Sequence, residues 1–369
     1  MRQLRVPRRW FQPFGLLCVL AVVLIVGCGG PYPQSTLDPR GDFAQMVDAV
    51  FTKTVYLATI VFILVEGALL WAVFKFRGKP DDAEPHQIHG STVVEIVWTI
   101  IPAVVLAIVA VPTVQTIFST ARVPTTSPDG QPPLKVEVVG HQWFWEFRYP
   151  ELGITTANEL HVPINRTVDL RMKSNDVIHS FWVPQFAGKR DVFPNRETRL
   201  WFTAKVTGAF PGACAEFCGT EHGRMDFYLM VDSPDSFKAF VARRLDDSTM
   251  NWNGMPMGAT PATAATMLAA STTAQDSLVA RGRSLFTARA CTSCHSISSM
   301  HVLSAIGPNL SGIGTRKMIG AGWLPNTDEN LRNWIEHTQQ VKPDVLMKLP
   351  IPVSDDDVTA LIAYLRTMR

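Results

Sequence analysis

Two long apolar segments constrain the fold of this 369-residue chain more than any other feature. Residues 55–74 contribute 20 mostly apolar positions and residues 97–118 contribute 22. Because a helix needs roughly 20 such residues to cross the hydrocarbon core of a bilayer, each segment is long enough to span a membrane. The second segment contains Pro102 and Pro112, which predict kinks. The sequence therefore predicts a transmembrane helical hairpin within residues 51–120.

Charged residues in and around these segments predict their orientation. Lys75, Arg77 and Lys79 lie in the short loop between the two helices, and loops rich in Lys and Arg stay in the cytoplasm. Both chain ends then lie outside the membrane. Glu66 lies inside the first helix, where a carboxyl group must face a protein partner or water, and a neutral contact between helices is the simpler interpretation. Glu95 begins the second helix at the cytoplasmic side.

The N-terminus has the layout of a secretory signal. Arginines precede an apolar run at residues 14–26, which at about 13 residues is too short to span a bilayer. The run ends in Gly27 and Cys28 in a pattern that resembles a bacterial lipobox. The pattern predicts a lipoprotein-type signal peptide at residues 1–27 and a lipid on Cys28; a plain signal peptide and an uncleaved third helix are the alternatives. Residues 28–50 are predicted to form a polar linker.

Net charge and cysteine spacing narrow the classes of function. A net charge of +2 without a basic stripe gives no indication of nucleic-acid binding. The six cysteines comprise two that stand alone and two closely spaced pairs: Cys18, Cys28, Cys214 with Cys218, and Cys291 with Cys294. A secreted disulfide framework also uses even numbers of cysteines. However, the His and Met residues beside both pairs favour metal or haem chemistry.

Residues 134–235 have the pattern of short strands. Apolar and polar side chains alternate at residues 135–138 and 168–172, as expected for strands with one buried face. Turn residues such as Pro163 and Pro211 separate the runs. About a hundred residues of such strands predict a β-sandwich or barrel.

A cluster of sulfur and imidazole ligands lies near the end of this domain. Two cysteines, a histidine and a methionine stand within 12 residues: Cys214, Cys218, His222 and Met225. Soft sulfur combined with imidazole is a ligand set for copper. His179 lies 35 residues before Cys214 and can supply a second imidazole from a neighbouring strand.

The number of ligands favours two copper ions over one. A mononuclear blue-copper site uses one cysteine, two histidines and a weak methionine, which leaves one cysteine over. Two thiolates can instead bridge two ions, each completed by one histidine and one weak ligand. Met225 and the backbone carbonyl of Glu216 would be the weak ligands. A Cys214–Cys218 disulfide and a zinc site are the alternatives, but a disulfide leaves Met225 without a role, and structural zinc prefers four Cys or His ligands.

A second extramembrane domain is predicted at residues 276–369, after a linker at 251–275 that is rich in Ala, Thr, Gly, Met and Pro. This domain contains the sequence Cys-Thr-Ser-Cys-His, which is the attachment pattern of haem c. Cys291 and Cys294 would form thioether bonds with the haem, and His295 would bind the iron. A redox dithiol and half a zinc site are the alternatives.

The second axial ligand of the haem iron should be Met or His. Met347 is preferred, since it lies in the loop before a helix predicted at residues 354–367, and Met318 is the second choice. Another helix is predicted at residues 277–289, before the attachment sequence. Four other downstream candidates are less favoured: Met300, His301, His337 and Met368. Met300 and His301 are too close to His295 in the sequence, and Met368 lies at the frayed chain end.

In these features and their order the chain resembles cytochrome c oxidase subunit II, with a cytochrome c domain fused at the C-terminus as in caa-type oxidases. The two helices, the aromatic strand at residues 142–145, His179 and the loop at residues 214–225 carry the resemblance. It implies a multidomain membrane protein with a two-helix transmembrane hairpin, an all-β cupredoxin barrel and an all-α cytochrome c domain.

The resemblance also implies roles for single residues. Trp143 corresponds to the tryptophan that receives electrons, and Glu95 corresponds to a carboxylate at the entrance of a proton channel. The Glu216 side chain corresponds to a magnesium ligand shared with subunit I. The Pro308 carbonyl is implied to orient His295. The implied ligands of the dinuclear copper A centre are one backbone carbonyl and five side chains: Glu216, His179, Cys214, Cys218, His222 and Met225.

The implied function is electron transfer in a respiratory terminal oxidase of the bacterial inner membrane, with the copper and haem domains on the periplasmic face. Electrons would pass from a cytochrome or respiratory complex through haem c and copper A to the oxygen-reducing site in subunit I, with subunit III as a further partner. Two alternatives are the electron-input subunit of a copper A nitric oxide reductase and an outer-face copper-binding module.

Overall fold

The computed structural model describes residues 32–78, 87, 90–249, 274–297, 306–348 and 353–368. The predicted signal peptide, the predicted lipid site at Cys28 and nearly all of the predicted linker at 251–275 therefore lie outside the described residues. Lys79, Met300 and His301 also lie outside them.

Two long helices form the predicted hairpin: α1, Asp42–Lys75, and α2, Thr92–Thr120. Both are long and apolar enough to cross a membrane, with mean hydropathies of 2.3 and 2.5. Each helix extends beyond its predicted apolar run, because polar residues continue the helix past the apolar window. The two predicted prolines lie inside α2. Glu66 is half-buried in α1, and Glu95 is exposed in the first turn of α2.

The outer ends of the hairpin are bonded to the domain that follows. The Asp42 carboxylate accepts a hydrogen bond from the Thr203 N–H at 2.7 Å. Phe43 is buried, and its ring lies edge-to-face against Trp201 with the centroids 5.8 Å apart. The Trp201 indole in turn donates to the Thr120 carbonyl at 2.8 Å. The first turn of α1 and the last residue of α2 are therefore both fixed to this domain.

Ten strands form the β-domain: β1 Leu134–His141, β2 Phe144–Tyr149, β3 Ile154–Ala157, β4 Glu159–Pro163, β5 Thr167–Ser174, β6 His179–Trp182, β7 Arg190–Val192, β8 Thr198–Thr203, β9 Gly208–Cys214 and β10 Asp226–Asp232. They make two five-stranded sheets with the orders β3-β2-β1-β5-β8 and β4-β10-β9-β6-β7. β1 pairs with β5 in parallel, as does β4 with β10, and the other pairs are antiparallel. Buried aromatic rings fill the core, among them Phe181 and Phe227, which stack at 4.6 Å.

The C-terminal region is mainly helical: α3 Pro234–Thr249, α4 Ala274–Ala288, α5 Asp328–Val341 and α6 Asp355–Leu365, with the short strands β11 Met318–Ile319 and β12 Leu324–Pro325. Side-chain caps define two helix starts. Thr327 accepts a hydrogen bond from the Asn330 N–H, and Ser354 accepts one from the Asp357 N–H. Such caps satisfy amide groups that the helix itself leaves unpaired. α4 and α6 correspond to the two helices predicted here, with ends shifted by a few residues. We call α4 and all that follows it the haem domain.

Gly282 marks the crossing of α4 and α6, where there is no space for a side chain. A Cβ atom at Gly282 would collide with the Ala360 carbonyl. Gly282→Ala is therefore expected to destabilise the haem domain by about 1–3 kcal/mol, although alanine favours helices more than glycine does. Faster amide hydrogen exchange in α4 of the full chain would report this loss. Ser284→Ala, exposed on the same helix, is the matched control and should leave exchange unchanged.

Candidate metal and haem centres

The loop between β9 and β10 collects the predicted copper ligands. Cys214 is the last residue of β9, and its N–H donates to the Met225 carbonyl at 3.0 Å, which closes the base of the loop. His179 is the first residue of β6, which pairs with β9, so the sheet places His179 beside Cys214. A short 3-10 turn, His222–Arg224, returns the chain to β10.

Five side chains meet around this loop. The Sγ atoms of Cys214 and Cys218 lie 3.8 Å apart. His179 Nδ1 lies 3.9 Å from Cys214 Sγ, and His222 Nδ1 lies 3.7 Å from Cys218 Sγ. The Met225 sulfur also lies 3.7 Å from Cys218 Sγ. The pair of sulfurs therefore has one imidazole at each end.

The two sulfurs are spaced for shared metal ions. Both thiols are free, and thiolates bind zinc, a metal of similar size to copper, at about 2.3 Å. Because twice that length exceeds the 3.8 Å separation, both sulfurs can contact the same ion on either side of the line that joins them. The Glu216 carbonyl oxygen lies 3.3 Å from Cys214 Sγ and adds an oxygen at that end. The donor set thus fits two copper ions bridged by two thiolates, and the structure contains no Cys214–Cys218 disulfide.

The thiols of Cys214 and Cys218 titrate as a pair. Contact with the Cys218 thiol holds the pKa of Cys214 far below its ordinary value, and His179 adds to this effect against the opposing influence of burial. The neighbouring Cys214, together with burial, raises the pKa of Cys218. Metal binding by both sulfurs requires that both thiols lose their protons.

Asp176 holds the ring of His179. His179 is fully buried, and its Nε2 lies 2.7 Å from Asp176 Oδ1, which leaves Nδ1 on the side of Cys214. Burial lowers the pKa of His179, but the hydrogen bonds to Asp176 and Cys214 outweigh it, so the net shift is upward. Asp176 was not predicted from the sequence. The available signal was a carboxylate three residues before a ligand histidine.

Asp176→Asn is expected to weaken copper binding about 10- to 100-fold, because the amide keeps the shape of the side chain but loses the charge that orients the imidazole. Competition with a chelator of known affinity measures the change. Asp191→Asn is the matched control, since Asp191 is an exposed carboxylate on the neighbouring strand β7. Equal copper affinity in both variants would contradict the orienting role.

Trp143 is hydrogen-bonded to the backbone of the copper loop. Its indole N–H donates to the Cys218 carbonyl at 3.0 Å, and the Gln142 side-chain amide donates to the same oxygen at 2.7 Å. Gly219 permits this approach, since a Cβ atom there would lie 2.9 Å from the indole. Trp143 is half-buried. No role was predicted for Gln142, whose only signal in the sequence was its place beside Trp143.

The carboxylates with implied roles toward partners are both exposed. The Glu216 side chain points to solvent beside Phe217, whose exposed fraction is 77%. Glu95 is exposed in the first turn of α2. Both groups are therefore accessible to another subunit, as their implied roles require.

The haem-attachment sequence forms a tight turn after α4. Cys291 and Cys294 are half-buried and form no disulfide. His295 Nδ1 lies 2.8 Å from the Pro308 carbonyl oxygen, the contact that the resemblance implied, so Nε2 is the remaining ligand atom. Burial lowers the pKa of His295, which keeps the ring in the neutral form that binds metals. Gly307 packs against the ring, and a Cβ atom there would lie 2.8 Å from Cε1.

Met347 and Met318 are the half-buried methionines of the described haem domain. Met347 lies in the loop between α5 and α6, where Gln339 Nε2 donates to its carbonyl at 3.0 Å. Met318 lies on β11. Met368 was expected at a frayed end, but it is buried in the core of the haem domain. His337 is exposed on α5.

A membrane hairpin, a copper-ligand loop and a haem-attachment turn on one chain define a membrane-bound electron-transfer protein. Three family models match these parts in order: "Cytochrome C oxidase subunit II, transmembrane domain" at residues 39–116, "Cytochrome C oxidase subunit II, periplasmic domain" at 153–231 and "Cytochrome c" at 279–369. The chain belongs to the cytochrome c oxidase subunit II family and carries a C-terminal cytochrome c domain.

Relatives match over nearly the whole chain. Cytochrome c oxidase subunit 2 of Alkalihalophilus pseudofirmus is 34% identical over 97% of this chain and 96% of its own length. The protein of the same name from Bacillus subtilis is 30% identical over 96% of this chain and 97% of its own length. The solved periplasmic domain of subunit II of cytochrome oxidase from Bradyrhizobium japonicum is 31% identical over 33% of this chain and 95% of that domain, with a TM-score of 0.30.

The family models and the relatives confirm the predicted family, fold class and location. The chain is a two-pass membrane protein with periplasmic domains, and it is a subunit of a haem–copper oxidase, an oxidoreductase complex. Membership also implies copper A, haem and subunit I as a partner.

Proposed function

We propose that the chain carries electrons from an external cytochrome or respiratory complex to subunit I of a respiratory terminal oxidase, where oxygen is reduced to water. The carriers would be one haem c, held by Cys291, Cys294 and His295, and a dinuclear copper A centre between β9 and β10. The observation that supports this most is the pair of free sulfurs 3.8 Å apart with an imidazole at either end.

The proposed copper ligands are one backbone carbonyl and five side chains: Glu216, His179, Cys214, Cys218, His222 and Met225. Copper shared by two thiolates supplies a carrier in which each metal changes charge little, so little reorganisation accompanies electron transfer. The protein maintains the geometry of the loop. Asp176 fixes one imidazole, and two side-chain donors, Gln142 and Trp143, hold the Cys218 carbonyl.

The other assignments rest on the family resemblance, except that of Cys28, which rests on the lipobox pattern in the sequence. Met347 is proposed as the second axial ligand, and Trp143 as the residue that receives electrons. Glu95 is proposed at the entrance of a proton channel, and the Glu216 side chain as a magnesium ligand shared with subunit I. Cys28 is the proposed lipid site, and subunit III is a further proposed partner.

Purification of the native complex, with metal analysis and with optical and EPR spectra, tests the proposal. We expect two copper atoms and one haem c on this chain, a mixed-valence copper signal and consumption of oxygen. Turnover of nitric oxide without oxygen reduction would favour the nitric oxide reductase. Freely exchanging copper on a chain without haem would favour a copper-binding module. A single metal ion in the loop of the intact protein would contradict the dinuclear centre.

A further inference from the structure

Lys342 lies at the centre of a polar contact between the haem domain and the β-domain. It follows α5 directly, and its exposed fraction is only 1%. Its ammonium group donates to three backbone carbonyls: those of Arg224 at 2.7 Å, Trp143 at 3.1 Å and Gly320 at 3.2 Å. A lysine ammonium has three N–H donors, so all of them are used. Two of the acceptors belong to the β-domain, so this cation is fully paired only while the two domains are in contact.

Arg224 of the β-domain makes a second contact of this kind with the haem domain. Its guanidinium donates to the Val341 carbonyl at 3.0 Å, next to Lys342 in the sequence. The same guanidinium lies 4.9 Å from the ring centroid of Trp323 in the haem domain. Each domain therefore contributes one cation to the contact. Lys342 of the haem domain binds backbone carbonyls of the β-domain, and Arg224 of the β-domain binds a carbonyl and an aromatic face of the haem domain.

Backbone amides extend the contact on both sides of Lys342. The Asp226 N–H donates to the Ala321 carbonyl at 3.0 Å, and the Lys317 N–H donates to the Glu159 carboxylate at 2.8 Å. Ala321 is also buried with apolar side chains of the β-domain. Because these donors and acceptors are backbone groups or buried side chains, they fix the relative position of the two domains more closely than exposed ion pairs would.

The charge of Lys342 is balanced locally. Burial lowers the pKa of Lys342 to about 8, and the carboxylates of Glu221 and Asp226 oppose that shift. At neutral pH the side chain therefore remains largely protonated and keeps its three donors. An unpaired ammonium in such a site would be costly, which gives the contact its strength.

The residues of this contact also lie near proposed ligands of both carriers, in space on the copper side and in the sequence on the haem side. Trp143 accepts from Lys342 through its carbonyl and donates through its indole to the Cys218 carbonyl. Arg224 directly precedes the proposed ligand Met225. On the other side, Lys342 and the proposed iron ligand Met347 lie in one short segment after α5.

We infer that Lys342 is a positioning residue that locks the haem domain onto the β-domain in the arrangement used for electron transfer from haem to copper. This inference rests on the proposed function. Electron transfer across the contact would move one electron from the haem iron to the copper pair, so no further reactant would be needed. Because of this contact, the haem domain is held in one position and does not have to find the β-domain by diffusion on its linker.

Lys342→Met in the full chain, purified within the oxidase complex, tests the inference. Methionine keeps much of the side-chain volume but leaves three backbone carbonyls without their donor. We expect exchange of the Asp226 amide hydrogen to become about tenfold faster or more, because the domains separate more often. We expect electron transfer from photoreduced haem to copper to slow by about tenfold, with the optical spectra of both carriers unchanged.

Lys317→Met is the matched control, since Lys317 belongs to the same contact but its side chain is exposed. It should change neither amide exchange nor electron transfer. Unchanged exchange in Lys342→Met would overturn the inference, and so would faster exchange with an unchanged transfer rate. If Lys342→Met does not fold, Arg224→Met takes its place with the same readouts, because it removes the guanidinium that donates to the Val341 carbonyl. Missing copper or haem signals in the unaltered complex would instead contradict the proposed function, since amide exchange is measurable without either carrier.

Discussion

A Cys218→Ser chain is expected to lose both copper ions and nearly all electron transfer to oxygen. A serine hydroxyl stays protonated at neutral pH and is a hard ligand, so it cannot replace a soft bridging thiolate. Cys218 Sγ lies within 3.8 Å of Cys214 Sγ, His222 Nδ1 and Met225 Sδ, so its loss affects the contacts of both ions. We expect oxygen consumption with an external cytochrome donor to fall by more than about 100-fold, beyond the usual effect of residues that only orient ligands.

Metal analysis of the purified complex and oxygen uptake measure this effect. Thr220→Ala is the matched control, since Thr220 is exposed in the same loop, and it should keep both copper content and turnover. A Cys218→Ser complex with a full complement of copper and normal turnover would refute the dinuclear centre. Retention of one firmly bound ion would indicate that the sulfurs do not act as a pair.

The second large effect is expected at Met347. Met347→Leu keeps the apolar volume and removes the thioether, so the haem would lose the axial ligand that raises its reduction potential. We expect the potential of the haem to fall by ~0.1 V or more, within the range over which axial ligands act. Redox titration of the haem absorbance in the complex measures the shift.

Met318→Leu separates the two candidate ligands. Met318 is also half-buried in the haem domain, but it lies on β11 rather than in the loop between α5 and α6. We expect Met318→Leu to leave the reduction potential unchanged. A lowered potential in this variant, with a normal one in Met347→Leu, would move the ligand assignment to β11.

The features that the sequence predicted are local in the chain. A spanning helix requires only a long apolar run, and both helices were predicted from one. Haem attachment requires two cysteines and a histidine within five residues, so Cys291, Cys294 and His295 indicate it without knowledge of the fold. The loop proposed to bind copper carries Cys214, Cys218 and two further proposed ligands within 12 residues.

The groups that hold these ligands in place could not be predicted in the same way. Lys342 looks like an ordinary solvated lysine in a polar segment, yet its acceptor Trp143 is 199 residues away in the sequence. Gln142 acts on the Cys218 carbonyl, 76 residues away. Such contacts depend on strand register and on how separate domains pack, which local periodicity does not encode. Met368 was misjudged for the same reason, because burial at a chain end depends on the helices packed around it.

The continuity of α1 has a mechanical consequence. Its 34 residues, at about 1.5 Å each, make a rod about 51 Å long, whereas the hydrocarbon core is about 30 Å thick. The excess length projects toward the β-domain, where Asp42 and Phe43 fix its tip. A long transmembrane helix responds to a thinner bilayer by tilting. Because the first turn of α1 is fixed to the β-domain, the two would move together. A change in the tilt of α1 would therefore be passed to the β-domain and to the loop between β9 and β10.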